Sequence, residues 1–170
     1  QEEIPNFKSN FRLTFVGNLN SFIEESIAKA GIGNLMETFG FIAHSEAVHK
    51  MQETQLLLFI LPRAKYSKSI TSGKVFEYMA SNTPMLSIGL TDGDAAWIVN
   101  KGGRDPMIDY DDGVSIKAQI LRYYREWEES GGLVKKQFEG DVEFFSRKNR
   151  TRQLAKILDE ISEDRSNSAD

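Results

Sequence analysis

At 170 residues the chain is long enough for one domain with its own core. Its 40% hydrophobic and 27% charged residues match ordinary globular usage, and a net charge of −4 argues against general affinity for nucleic acid. The absence of cysteine removes disulfides, thiol nucleophiles and Cys-type zinc sites, and two histidines (His44 and His49) cannot build a His-rich metal site. The longest apolar run, Leu56 to Leu61, is far too short to span a bilayer, and the acidic start Gln1-Glu2-Glu3 has no signal-peptide character. The expectation is a soluble, cytoplasmic protein.

Five strand-like segments follow in chain order: Phe11 to Val16, Met36 to Ile42, Leu56 to Leu61, Pro84 to Ile88 and Met107 to Tyr110. Leu56 to Leu61 is apolar at every position, which predicts a strand buried on both faces. Helical signals lie between them. Ser21 to Ala30 puts Phe22, Ile23, Ile27 and Ala30 on one face, and Ser45 is placed to cap a helix carrying Ala47, Val48 and Met51. Ser72 is placed to cap Gly73 to Ser81, with Asn82 and Pro84 as its stop. Asp94 starts Ala95 to Asn100, which Gly102-Gly103 ends. Val114 to Glu128 and Arg147 to Ile161 are long and amphipathic, and the polar end of the chain (163–170) is expected to be a disordered tail. The alternation predicts an α/β domain over residues 1–162, with a mostly parallel sheet covered on both sides.

Ligands of open α/β sheets sit beyond the carboxyl ends of the strands. The loop after the most apolar strand carries Arg63, Lys65, Lys68 and Lys74, four cations within twelve residues, and runs into a helix whose first turn includes Gly73. Free amides, a glycine and nearby cations suit a phosphate; the alternative is a solvated loop that happens to be basic. Glu77, on the second turn, is either a solvated helix-face residue or an acceptor for the vicinal hydroxyls of a sugar. Asp92 and Asp94 stand at a strand's carboxyl end, where a donor hydroxyl is one partner and an N-cap role for Asp94 the other. His44 reads as a polar loop residue rather than a proton carrier. Trp97, Tyr123, Tyr124 and Trp127 read as core or interface, and Asp109, Asp111 and Asp112 as a solvated strand end rather than a metal site.

The stretch SGKVFEYMASNTPMLSIG (72–89) resembles the donor-site signature of retaining GT-B-fold glycosyltransferases, which build bacterial surface polysaccharides from sugar nucleotides. The resemblance runs along nearly the whole chain. FRLTFVG (11–17) looks like the second strand of that family's C-terminal domain, and GFIAHSEAVHKM (40–51) like the end of the third strand, the base loop and the helix after it. DGDAAWIVNKGG and DYDD resemble the next helix and the last strand, and FFSRKNRTRQLAKILDEI the closing helix that runs back toward the N-terminal domain. The resemblance implies one Rossmann-like three-layer αβα half of a GT-B fold. It gives Glu77 the donor ribose, Ser72, Gly73 and Lys74 the diphosphate, and Phe41 and Ile42 the base. Where many relatives carry a second glutamate on the donor sugar this chain has Ser69, so sugar contacts must differ, with Ser69, Thr71, Asp92 and Asp94 as further candidates.

The family's domain opens with one more βα unit, which the resemblance puts before Gln1 together with the whole acceptor-binding domain. The chain therefore reads as an excised piece, inactive alone, in a sheet ordered 3-2-1-4-5-6 that lacks strand 1. Phe11 to Val16 and Leu56 to Leu61 would then flank an empty slot, with Leu56 to Leu61 fully buried and copies associating through swapped or edge-paired strands. The implied activity is hexosyl transfer from a nucleotide-diphosphate sugar to a glycan or lipid-linked acceptor. It needs no metal or other cofactor, and the full-length protein would sit in the cytoplasm or at the inner membrane surface. The rival readings are a sugar-nucleotide epimerase of the same fold, which Ser69 disfavours, and a non-catalytic binding module.

Overall fold

The computed structural model describes residues 4, 6–132 and 138–167, with side chains to residue 162. The chain is α/β and divides into two compact units, residues 1–50 and 51–170.

The first unit opens with a single helical turn, α1 (Phe7–Asn10), and continues into β1 (Leu13–Val16). The strand ends at Gly17, whose φ of 108° is open to glycine at no cost. Helix α2 (Ser21–Lys29) starts at Asn20, whose side-chain oxygen accepts the Phe22 N–H at 2.8 Å, satisfying one of the amides a helix start leaves free. Strand β2 (Met36–Phe39) pairs parallel with β1, Leu13 opposite Met36 and Val16 opposite Phe39. It stops three residues short of the expected Ile42. Helix α3 (His44–Glu53) half-buries Ala47, Val48 and Met51, as its spacing predicts. On α2 the expected apolar face is only partly used. Ile27 is buried, whereas Phe22 and Ile23 are exposed, because no segment of the unit covers the first turn of that helix.

The second unit holds β3 (Leu57–Ile60) and β4 (Met85–Ile88), parallel, with Leu57 opposite Met85 and Ile60 opposite Ile88. Ile108 adds a parallel bridge to Ile88 in the segment that the sequence predicts as its weakest strand. Paired residues of a parallel ladder point to the same side, so Leu57, Phe59, Leu61, Met85 and Ser87 share one face. Phe59, Leu61 and Met85 pack with Val75 and Met79 of α4 (Lys74–Ala80) and with Ala95, Ala96, Ile98 and Val99 of α5 (Asp94–Lys101). On the opposite face Leu86 is buried, near α6 (Gly113–Glu129), while Leu58 and Ile60 are 41% and 54% exposed. The expectation that Leu56 to Leu61 would be fully buried is therefore wrong. Strand β4 lies between two neighbours and is covered on both sides, whereas β3 is an edge strand covered on one.

Local stops follow the sequence closely. Asn82 takes φ 61° and ends α4, and Gly103 takes φ 66° just past α5. Helix α6 is capped by Asp112, whose carboxylate accepts the Ser115 N–H at 2.9 Å. Helix α7 (Arg147–Asn167) runs through residues 163–167, where the sequence predicts a disordered tail; 168–170 lie outside the described residues. The four strands form two separate two-stranded sheets.

Candidate functional site

Parallel pairing brings the carboxyl ends of β3, β4 and the Ile108 segment to one edge of the second unit, and three loops leave from there. The first, residues 61–73, is folded around a residue that pattern reading missed. Ser67 is buried; its hydroxyl lies 2.8 Å from the Pro62 carbonyl and 2.7 Å from that of Ala64, and it accepts the Ala64 N–H at 2.6 Å. Tyr110 Oη reaches the same Pro62 carbonyl at 3.2 Å. A buried serine in a basic loop has no periodicity to betray it.

The loop's cations do different jobs. Arg63 pairs with Asp111 at 2.8 Å and lies over the Tyr110 ring, and that hydrogen bond raises its pKa further above the ordinary value. Lys68 pairs with Asp92 at 2.6 Å, and this contact holds the Asp92 carboxyl below its ordinary range. Both pairs are exposed, so they align the loops more than they stabilise the fold. Gly93 lets these loops meet closely: a Cβ there would lie 3.0 Å from the Lys68 carbonyl oxygen, so a side chain would require that backbone to shift slightly. Asp92 is thus engaged by Lys68. Asp94 is the first residue of α5 rather than its N-cap; Gly93, in extended conformation, holds that place. The Asp94 carboxylate still benefits from the helix dipole.

Lys74 and Glu77 are left over. Both are exposed, and neither side chain has an ion-pair or hydrogen-bond partner among the described residues. Gly73, not Ser72, holds the N-cap place of α4; the Ser72 hydroxyl accepts the Lys74 N–H at 3.4 Å, while the backbone N–H groups of Ser72 and Gly73 have no partner among the described residues. A Cβ built on Gly73 meets nothing within 4 Å, so the glycine leaves open space rather than relieving a clash. Ser69 and Thr71 are exposed beside this start, whereas Ile70 between them turns into the core. Four donors or acceptors on consecutive turns therefore face solvent beside a strand's carboxyl end.

Phe41 and Ile42 belong to the first unit, in the loop after β2; Phe41 is exposed and Ile42 half-buried. His44 is exposed at the start of α3. The three aspartates at 109–112 have work within the chain: Asp109 accepts the Asp111 N–H, Asp111 holds Arg63, and Asp112 caps α6. Trp97 is exposed and lies edge-on to Phe144 and Phe145, while Tyr123 and Tyr124 are buried.

A second polar cluster has no signal in the sequence pattern. Asp105 Oδ2 accepts from Gln119 Nε2 at 2.9 Å and from both Arg122 and Tyr123. Burial pushes the Asp105 carboxyl up, but the bonds from Tyr123, Arg122 and Gln119 outweigh it and hold the carboxyl below its ordinary range. Burial, reinforced by Asp105, pushes the Tyr123 hydroxyl up to about 12. Next to them Arg104 is buried, donates to the Met79 carbonyl at 2.5 Å and lies over the Phe138 ring; desolvation lowers it to about 10. These groups anchor the 104–105 turn to α6 and α4.

No helix among the described residues is long and apolar enough to cross a membrane. Comparison of the chain with family models, with curated proteins and with solved structures yields no match.

Proposed function

We propose that the chain is the donor-binding half of a glycosyltransferase, with the Rossmann-like three-layer build of GT-B enzymes, and that it binds a nucleoside-diphosphate sugar. The observation that carries this reading is the pair Lys74 and Glu77. They are a cation and a carboxylate without partners among the described residues, on the helix that leaves a strand's carboxyl end, while the neighbouring cations Arg63 and Lys68 are held by carboxylates. Further support comes from the strand pairs. Each unit pairs its strands in parallel, β1 with β2 and β3 with β4 and Ile108, as the neighbouring strands of a doubly wound sheet would pair.

In this reading the free amides of Ser72 and Gly73 and the Lys74 ammonium meet the diphosphate. Glu77 accepts two hydrogen bonds from the ribose. Ser69, Thr71 and Asp94 are the residues left to meet the donor sugar, and Asp92 would have to release Lys68 to join them. As the bond from the sugar's anomeric carbon to the diphosphate breaks and the acceptor oxygen takes its place, charge builds on the leaving diphosphate. Lys74 and the amides stabilise that charge. In this reading the working enzyme is cytoplasmic or held at the inner membrane surface.

The test is Glu77→Ala in the enzyme that contains both halves. Losing a charge-assisted hydrogen bond worth roughly 1.5–3 kcal/mol should weaken donor binding by about one to two orders of magnitude in calorimetry. An affinity unchanged within about twofold would return Glu77 to an ordinary surface residue.

A further inference from the structure

Helix α7 is the longest of the described residues, and between 147 and 162 it buries no side chain. Its aliphatic residues are nevertheless ordered along one stripe. Leu154, Ile157, Leu158 and Ile161 stand at i, i+3, i+4 and i+7, the spacing of one helix face, and are 57%, 52%, 54% and 48% exposed. A helix gains most of its stability from packing such a face, and among the described residues none buries this stripe.

The charges on the same helix specify the partner. Arg147, Lys148, Arg150, Arg152 and Lys156 crowd its first half, whereas Asp159 and Glu160 follow, with Glu163, Asp164 and then Arg165 next in the sequence. Two copies of α7 laid antiparallel about a point between Ile157 and Leu158 put Leu154 opposite Ile161 and Ile157 opposite Leu158. The same arrangement sets Arg152 opposite Glu163 and Lys156 opposite Asp159, against one meeting of like charges, Arg150 with Arg165. A parallel pair would oppose like charges along its whole length. A lipid surface is a poorer match, because the acidic half would be repelled by anionic headgroups. We propose that α7 is a self-association surface whose occupant is α7 of a second copy, antiparallel and isologous.

The apolar seam is short. The interface falls below the roughly 1,200 Å² of a standard complex, so the association is weak and reversible. In sedimentation equilibrium the 170-residue chain should pass from monomer toward dimer between about 1 and 500 µM. Leu158→Glu, at a position already in solvent, should keep the near-ultraviolet dichroism of the fold yet weaken association at least about tenfold. Two charge variants make the test specific. Arg152→Glu with Lys156→Glu, and Asp159→Lys with Glu160→Lys, should each be monomeric alone and pair with one another when mixed. A chain monomeric across the whole range, association unchanged by Leu158→Glu, or a mixture that stays monomeric would each overturn the proposal. The first of these is also what a surface reserved for a different protein domain would give.

Discussion

The two units share one local pattern, a strand, a helix and a parallel strand, yet they bury very different amounts of it. In residues 1–50 only Ile27 and Leu35 are buried among the described side chains, and β1 alternates between half-buried and exposed positions. In residues 51–170 the cluster of Phe59, Val75, Met79, Met85 and Val99 is closed from solvent, and β4 is buried along nearly its whole length. Parallel strand pairing is common to both; what differs is how many helices cover it. A ladder without a covering layer keeps its hydrogen bonds but gains little from burial, so local stability should follow the second unit.

The largest effect expected from this contrast is in the second core. Met79→Ala removes a side chain that is 1% exposed and should cost about 2–5 kcal/mol in denaturant unfolding. A cost near zero would mean that the cluster is not what holds the unit.

A smaller effect is expected at Asp105, where Asp105→Asn should cost about 1–3 kcal/mol near neutral pH. The folded carboxyl lies below its unfolded value of about 3.9, so its contribution is present above that pH and lost as pH falls through the folded value. Tyr123 works at the other end. Its folded value of about 12 lies above the unfolded value, so its contribution is complete below pH 10 or so and lost as pH rises toward 12. The wild-type chain should therefore lose this stability on the acid side, and Asp105→Asn should flatten that limb; parallel acid limbs would remove Asp105 from the account.

The smallest effect belongs to the first unit. Asn20→Ala removes the cap of α2 and should cost about 1 kcal/mol, read as faster amide exchange confined to residues 21–29. Faster exchange in α4 or α5 as well would show that the two units unfold together.

Elements with strong local signals are legible in the amino-acid sequence alone. The apolar runs that form β3 and β4, the stop at Asn82 and the glycines after α5 depend on a few neighbouring residues. What cannot be read that way depends on coverage. Leu58 and Ile60 are as apolar as Leu57 and Phe59, yet they face outward because β3 is an edge. Phe22 and Ile23 follow helical spacing but find nothing to pack on. The polar positions divide the same way. Ser72 beside Lys74 announces a helix start, whereas Ser67 and Asp105 acquire their roles from carbonyls and side chains brought in by the fold. At the candidate site the sequence singles out the loop and its four cations, and the fold separates them into Arg63 and Lys68, held by carboxylates, and Lys65 and Lys74, which have no carboxylate partner among the described residues.

The most direct test of the central claim is amide chemical-shift mapping on the 170-residue chain while a panel of nucleoside-diphosphate sugars is added at low and high salt. Shifts should concentrate on residues 69–77. The binding should be weak, with Kd of about 0.1–1 mM or more, and should weaken further as salt screens Lys74. Shifts confined to other surfaces, or tight binding indifferent to salt, would contradict the assignment of this loop and helix to a sugar nucleotide.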